Sequence, residues 1–190
     1  MNNNTPVLYC GLDIGIRKDT AALVAVFEDH ETQEFVEYGH KIWEPPVRIT
    51  EQIDPFLFKL FDSNRVAALA FDWYQFQATL ERLQEKGYTR RLLEINQMTE
   101  NPAFTGLLHT LFWDERFCMV NDPDARNHLA WTATRETERG ARIEKRKQSK
   151  PVDYTVALGM ALLATSRDLG YTHHPTYAST SHTRSATVLP

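Results

Sequence analysis

The chain has 190 residues, of which 42% are hydrophobic and 24% charged; this suits one globular domain and is short for two. No apolar run approaches the roughly 18 residues needed to span a bilayer, and the polar start, Met1 to Pro6, does not read as a secretory leader. The net charge of −4 excludes a uniformly basic protein but not a local basic patch.

Val7 to Ile14 is apolar except for Gly11 and Asp13, the pattern of a buried strand. A turn over Ile14 to Asp19, a second strand from Thr20 to Phe27 and an acidic hairpin loop from Glu28 to Thr32 follow. Glu34 to Trp43 alternates and predicts a third, more exposed strand, so the chain opens with an antiparallel meander. Pro45-Pro46 breaks the chain. The spacing of Ile53, Phe56, Leu57, Leu60 and Phe61 predicts a helix over Thr50 to Phe61 with Thr50 as its N-cap. Arg65 to Phe71 is apolar on both faces, as in a central strand covered by helices, and it ends at Asp72. Tyr74 to Lys86 predicts an amphipathic helix stopped by Gly87. Then come a short strand over Leu92 to Ile95, a helix from Asn101-Pro102 to Trp113 and a short strand over Arg116 to Val120. Asp122-Pro123 predicts an N-cap and first position of a helix reaching about Glu138. Ala141 to Lys150 reads as a loop or small hairpin, and Pro151 opens a final helix to Asp168. From Tyr171 the composition turns to Ser, Thr, His and Pro without periodicity, so we expect a domain over 1–170 and a flexible tail over 171–190. Meander strands first and α/β crossovers after predict an α/β fold with a mixed sheet flanked by helices.

Charge is concentrated. Arg135, Arg139, Arg142, Lys145, Arg146, Lys147 and Lys150 face only Glu136, Glu138 and Glu144 in the same stretch, a net +4, which leaves −8 on the rest. The bland alternative for this run is a solvated surface loop. The two cysteines, Cys10 and Cys118, lie in apolar runs and read as buried free thiols; no C-x-x-C pattern is present.

Three carboxylates stand where an apolar residue is expected. Asp13 interrupts a strand, Asp72 ends one, and Asp153 shares a helix face with Val156, Ala157 and Met160. Burying a lone carboxylate costs several kcal/mol unless it is paired or binds a metal. If the first and fourth strands are parallel neighbours, Asp13 and Asp72 emerge side by side at the carboxyl edge of the sheet, where α/β proteins place ligands. Adjacent carboxylates raise a pKa or demand a cation. An all-oxygen set suits Mg²⁺ or Mn²⁺, and two such ions can cleave a phosphodiester. Taken singly, Asp72 is also consistent with a turn or cap residue and Asp153 with favourable placement in a helix dipole. Asp19 is a turn residue or an accessory site group.

With these residues in place the motifs become recognisable. Gly11-Leu12-Asp13-Ile14-Gly15 with Asp19-Thr20-Ala21-Ala22-Leu23-Val24 resembles the first strand and hairpin of the nuclease domain of phage terminase large subunits, members of the RNase H-like superfamily. Ala70-Phe71-Asp72-Trp73-Tyr74-Gln75 with Leu80 to Gly87 is similar to that family's fourth-strand block. His128 to Arg135, Arg142 to Lys145 and Lys150 to Ala161 are similar to its basic hairpin and final helix. The ordered blocks cover roughly residues 7 to 165. The resemblance implies an RNase H-like fold and cleavage of double-stranded viral DNA during genome packaging, with low sequence specificity, in the cytoplasm of an infected bacterium. It implies Asp13, Asp72 and Asp153 as ligands of two Mg²⁺ or Mn²⁺ ions, Asp13 bridging both. It implies Arg142, Lys145, Arg146, Lys147 and Lys150 as DNA contacts, with Lys150 and Asp19 as accessory groups. Implied partners are an ATPase domain, the small terminase subunit and the portal. The chain lacks the G-x-x-x-x-G-K-[ST] phosphate loop of such an ATPase, so we expect an excised domain or a free-standing relative. Beside Asp153 stand Val152 and Tyr154, where some relatives carry a second acidic residue or a His.

Three other readings stay open. One is an RNase H-like Holliday-junction resolvase or transposase relative. Another is an actin-like kinase, whose first phosphate loop resembles Leu12 to Gly15. The third is a non-catalytic packaging assembly module. His173, His174 and His182 read as exposed tail residues, His128 as a packed surface histidine, and Trp73, Tyr74 and Phe76 as helix-face core residues rather than base-stacking groups.

Overall fold

The computed structural model describes residues 5–15, 20–72, 76–147 and 149–168. The opening apolar run forms β1 (Val7–Ile14). β2 (Ala21–Asp29) and β3 (Glu34–Trp43) complete the antiparallel meander, with Asp13 opposite Ala22. On the other side of β1 runs β4 (Arg65–Phe71), parallel to it, with Leu12 opposite Phe71. β5 (Leu92–Glu94) pairs parallel with β4, and β6 (Phe117–Cys118) pairs parallel with β3. Across the sheet the order is β5-β4-β1-β2-β3-β6, a mixed sheet with β1 inside it.

Strand alternation sends side chains to two cores. Leu8, Cys10 and Leu12 of β1, with Ala21, Leu23 and Ala25 of β2, pack under α1 (Asp54–Ser63) and α2 (Gln77–Glu85). Tyr9, Ala22, Val24 and Val26 face the opposite layer of α3 (Gln97–Trp113), α4 (Pro123–Trp131) and α5 (Asp153–Asp168). Period two places Gly11 and Asp13 with Tyr9 on the α5 side. α5 is buried along nearly its whole length and crosses the sheet beside β1. Gly11 makes that approach possible: a Cβ there would lie 2.7 Å from the Ala161 nitrogen and 2.9 Å from the Ala157 carbonyl carbon, and closer still to the Ala157 carbonyl oxygen. Among the described residues no helix is long and apolar enough to cross a membrane.

Several sequence expectations are corrected. The stretch at Thr50 is a π-type turn, Ile49–Ile53, and Thr50 caps nothing; the α-helix starts at Asp54 with Pro55 in its first turn, where a missing N–H is harmless. The α3 helix starts at Gln97 rather than Asn101, because Asn96 caps it by accepting from the Met98 N–H while Glu100 accepts from the Asn96 N–H. α4 keeps its expected Asp122 cap but ends at Trp131. The segment expected to prolong it is instead β7 (Thr132–Thr137), paired with β8 (Gly140–Lys145) in a separate two-stranded hairpin. Its three β-branched threonines, Thr132, Thr134 and Thr137, suit a strand, and Gly140 takes the positive φ at the end of the two-residue turn. Cys118 is exposed on an edge strand, whereas Cys10 is buried as expected. Phe76 is core, against Phe71. Trp73, Tyr74, Asp19 and the 171–190 tail with His173, His174 and His182 lie outside the described residues.

Candidate functional site

Two directions of chain fix where the acidic residues go. β1 and α5 run antiparallel: the Tyr9 hydroxyl donates to Asp168 at the end of the helix (2.5 Å), and Gly11 abuts Ala157 and Ala161 in its middle. From Gly11 to Asp13 is two strand residues, about 6.6 Å. From Ala157 back to Asp153 is four helix residues, about 6 Å. The two steps match, so Asp13 and Asp153 face each other at the carboxyl end of β1. Asp72 follows Phe71, which is level with Leu12 in the parallel β4, so it arrives at the same edge.

Electrostatics report the same proximity. Burial pushes the Asp13 carboxyl up to about 7, and the Asp153 carboxylate adds to the rise. A hydrogen bond from Gln97 opposes it, Asp72 raises it further, and Lys145 pulls it down. Asp153 is buried, and its Oδ2 accepts from the Thr20 hydroxyl at 2.5 Å. The Asp13 Oδ1 accepts from Gln97 Nε2 at 2.9 Å. The three acidic side chains directed to this edge offer only oxygen. Among the described residues no three His, Cys, Asp or Glu side chains already stand at ion-holding distances; the carboxylates face one another at electrostatic range. A part-buried set of oxygen donors, in which the neighbouring carboxylates help to raise the Asp13 carboxyl, has the chemistry of a hard-cation site, and the residues present fit a hard divalent cation.

The basic residues separate into different surroundings. Lys145, at the end of β8, is half-buried and acts electrostatically on Asp13. Arg142 donates from Nη2 to the Gln97 carbonyl at 3.3 Å, and Lys150 places its ammonium 4.4 Å from the Trp131 ring centre. Arg146 and Lys147 are exposed. Arg135 pairs with Glu144 at 3.1 Å on the hairpin surface. The basic run thus starts on the hairpin, with Arg135 on β7 and Arg142 and Lys145 on β8, and continues past its end through Arg146, Lys147 and Lys150.

Three residues near the cluster escaped sequence reading. Gln97 belongs to no motif, and Thr20 stands inside the Asp19 to Val24 block without anything that marks it as a donor to Asp153. His128, expected at the surface, is 3% exposed. Its Nδ1 accepts from the Tyr154 N–H at 3.1 Å and so caps the start of α5 from another helix. Burial holds this imidazole down to about 4, against the pull of Asp124 and with help from His40 and Lys145. It is neutral at pH 7, as an acceptor must be. Behind it, buried Glu37 accepts from the Tyr154 hydroxyl at 3.0 Å and from the Val120 N–H at 2.9 Å, and it pairs with His40 at 2.5 Å. This network anchors the helix that carries Asp153 to β3.

No known family model matches the sequence, and no curated protein matches it. Its fold does have solved counterparts. The HK97 bacteriophage large terminase superposes with a TM-score of 0.69 at 17% identity, over 84% of this chain and 40% of that one. The large terminase nuclease of thermophilic phage G20c, solved with bound magnesium, gives 0.66 at 15% identity, over 85% and 82% of the two chains. The nuclease domain of the large terminase g2p of bacteriophage SPP1, solved with bound manganese, gives 0.58 at 15% identity, over 87% and 88%. The fold is therefore that of large-terminase nuclease domains. The chain spans well under half the length of the HK97 protein and most of the two isolated nuclease domains.

Proposed function

We propose that this chain is a metal-dependent endonuclease domain of the large-terminase type, cleaving double-stranded viral DNA with little sequence preference during genome packaging. The observation that carries the reading is the meeting of Asp13 with Asp153, and with Asp72 level beside them, at one edge of a terminase-nuclease fold. In this reading Asp13, Asp72 and Asp153 would hold two divalent ions, Mg²⁺ or Mn²⁺. When bound, such ions lower the pKa of an attacking water and stabilise the leaving oxygen of a phosphodiester.

The rest is the work of the chain's own groups. Asp13, with its carboxyl at about 7, gives up its proton readily on meeting a cation. Lys145 stands close enough to the acidic cluster to offset charge on the scissile phosphate. Exposed Arg146 and Lys147 contact the backbone of the duplex, which confers affinity without sequence information. Arg142 supports the site through Gln97 rather than through DNA, and Lys150 is seated on Trp131; both stay at the margin of the DNA path. Asp19 remains an accessory candidate. The partners of this reading are double-stranded DNA, a terminase ATPase domain, the small terminase subunit and the portal, in the cytoplasm of an infected bacterium.

The deciding experiment incubates supercoiled plasmid, linear duplex and a four-way junction with the protein in Mn²⁺, in Mg²⁺ and in excess EDTA. Nicking and linearisation of ordinary duplex with either metal, and none in EDTA, is expected. Full activity in EDTA, or cleavage confined to the junction, would sink the reading. On the same substrates Lys145→Ala with Lys147→Ala is expected to weaken duplex binding and to reduce the slope of log affinity against log salt by about 2, one for each ammonium withdrawn from the phosphate backbone. An unchanged slope would place the DNA elsewhere on the surface.

A further inference from the structure

We propose that Thr20 and Gln97 are positioning residues, a pair of uncharged donors that fix the rotation of the Asp153 and Asp13 carboxylates and so set how tightly these hold a divalent cation. The inference rests on the metal-nuclease reading above and adds residues to it. The Thr20 hydroxyl donates to Asp153 Oδ2 at 2.5 Å, with both residues buried. The Gln97 amide donates to Asp13 Oδ1 at 2.9 Å.

Each donor comes from a different element than the carboxylate it holds. Thr20 precedes β2 while Asp153 starts α5; Gln97 starts α3 while Asp13 nears the end of β1. The terminal torsion of an aspartate is broad and two-fold, so a carboxylate at the end of a strand or helix has no preferred plane of its own. A donor on one oxygen supplies that plane. Charge is what distinguishes these two donors from the arginines and lysines common in such places. An ammonium or guanidinium would neutralise the carboxylate and compete with a cation; a hydroxyl and a carboxamide orient it and leave its charge in place.

Gln97 is itself held. Its main-chain carbonyl accepts from Arg142 on the basic hairpin, and the helix it opens is capped by Asn96 with Glu100 closing back. Outer hydrogen-bond partners of metal ligands are worth 10- to 100-fold in metal affinity by general experience.

The test is calorimetric titration of Mn²⁺ into the nucleic-acid-free full chain at about pH 8, for the wild type, Thr20→Val, Thr20→Ser, Gln97→Met and Asp13→Asn. Valine keeps the shape of threonine and loses the donor; serine keeps the donor and loses the methyl group. The expected result is roughly a 10- to 100-fold weaker Mn²⁺ affinity for Thr20→Val and for Gln97→Met, with Thr20→Ser within a few-fold of the wild type. A residue that only fills space predicts the reverse order at position 20. Gln97 is half-exposed at a helix start, so Gln97→Met reads the effect at a position where folding is not at stake. If either donorless variant binds Mn²⁺ as the wild type does while Asp13→Asn does not bind, the positioning role is overturned and the metal reading stands. If the wild type takes up no Mn²⁺, or Asp13→Asn binds as tightly, the nuclease reading falls and this inference falls with it.

Discussion

Asp13→Asn is expected to lower metal-dependent DNA cleavage by at least about a thousandfold. The carboxylate lies between two others at the sheet edge, and losing several kcal/mol of cation-mediated charge stabilisation corresponds to that factor at about 1.4 kcal/mol per decade. The same substitution should act in the opposite direction on the metal-free fold. Folding raises the Asp13 carboxyl from its ordinary value to about 7, so the folded state binds the proton more strongly than the unfolded chain does. The stabilising contribution of the protonated group is fully present below about pH 4 and is lost as the pH rises through 7. Above that, the wild type carries an anion that folding disfavours, by at most about 4 kcal/mol for a shift of this size and nearer 2 kcal/mol for a side chain that water partly reaches. Asparagine is neutral throughout. Without metal, Asp13→Asn should therefore melt several degrees above the wild type at pH 8, the difference closing as the pH falls towards 4. Added Mn²⁺ should raise the melting temperature of the wild type and leave the variant unmoved. Thermal scans at the two pH values, with and without Mn²⁺, check this; a variant less stable at pH 8, or equally stabilised by Mn²⁺, would contradict the placement of Asp13 in an acidic cation site.

Gly11→Ala is expected to be the most damaging single methyl group that can be added to β1. Its Cβ would meet the Ala157 carbonyl group and the Ala161 nitrogen, which are backbone atoms of α5 and cannot rotate aside. Either the strand or the helix must shift by about an ångström to restore ordinary van der Waals separation. Overpacking costs about 1–3 kcal/mol and occasionally more; contact with backbone in the buried middle of α5 puts this case at the upper end. In a chain of this length that corresponds to a fall of roughly 6–12 °C in melting temperature. The shift also lands on the site, because the Gly11–Ala157 contact sets the separation of Asp13 from Asp153. Mn²⁺ affinity should fall with stability, and cleavage measured well below the melting temperature should fall with it. A Gly11→Ala protein that melts within about 2 °C of the wild type would show that β1 and α5 can separate at little cost.

Much of this architecture could be read from residue order. Continuous apolar runs bounded β1 and β4, alternation bounded β3, and each interrupting aspartate marked the carboxyl end of its strand. The logic is local: a strand buried on both faces tolerates a carboxylate only where something compensates it. The parallel pairing of β1 with β4 entered the sequence reading only as a condition: α1 joins β4 to β3, and it is the sheet order that sets β4 beside β1 instead. The Asp122 cap was visible because Asp followed by Pro carries its own geometry.

What sequence order alone could not decide depends on contacts between distant segments. Thr132 to Thr137 is a hairpin arm because β8 is there to pair with it; its threonines suit a strand, but nothing in the segment itself marks where α4 ends. His128 is buried against the start of α5, where burial holds it neutral and its Nδ1 accepts from the Tyr154 N–H. Thr20 and Gln97 stand 133 and 84 positions from the carboxylates they hold, and no local pattern records such a bond. The aspartates were legible because a buried charge violates the pattern of its own segment. The donors, the capping histidine and the tight glycine contact violate nothing locally, so only the packing of helix on sheet reveals them.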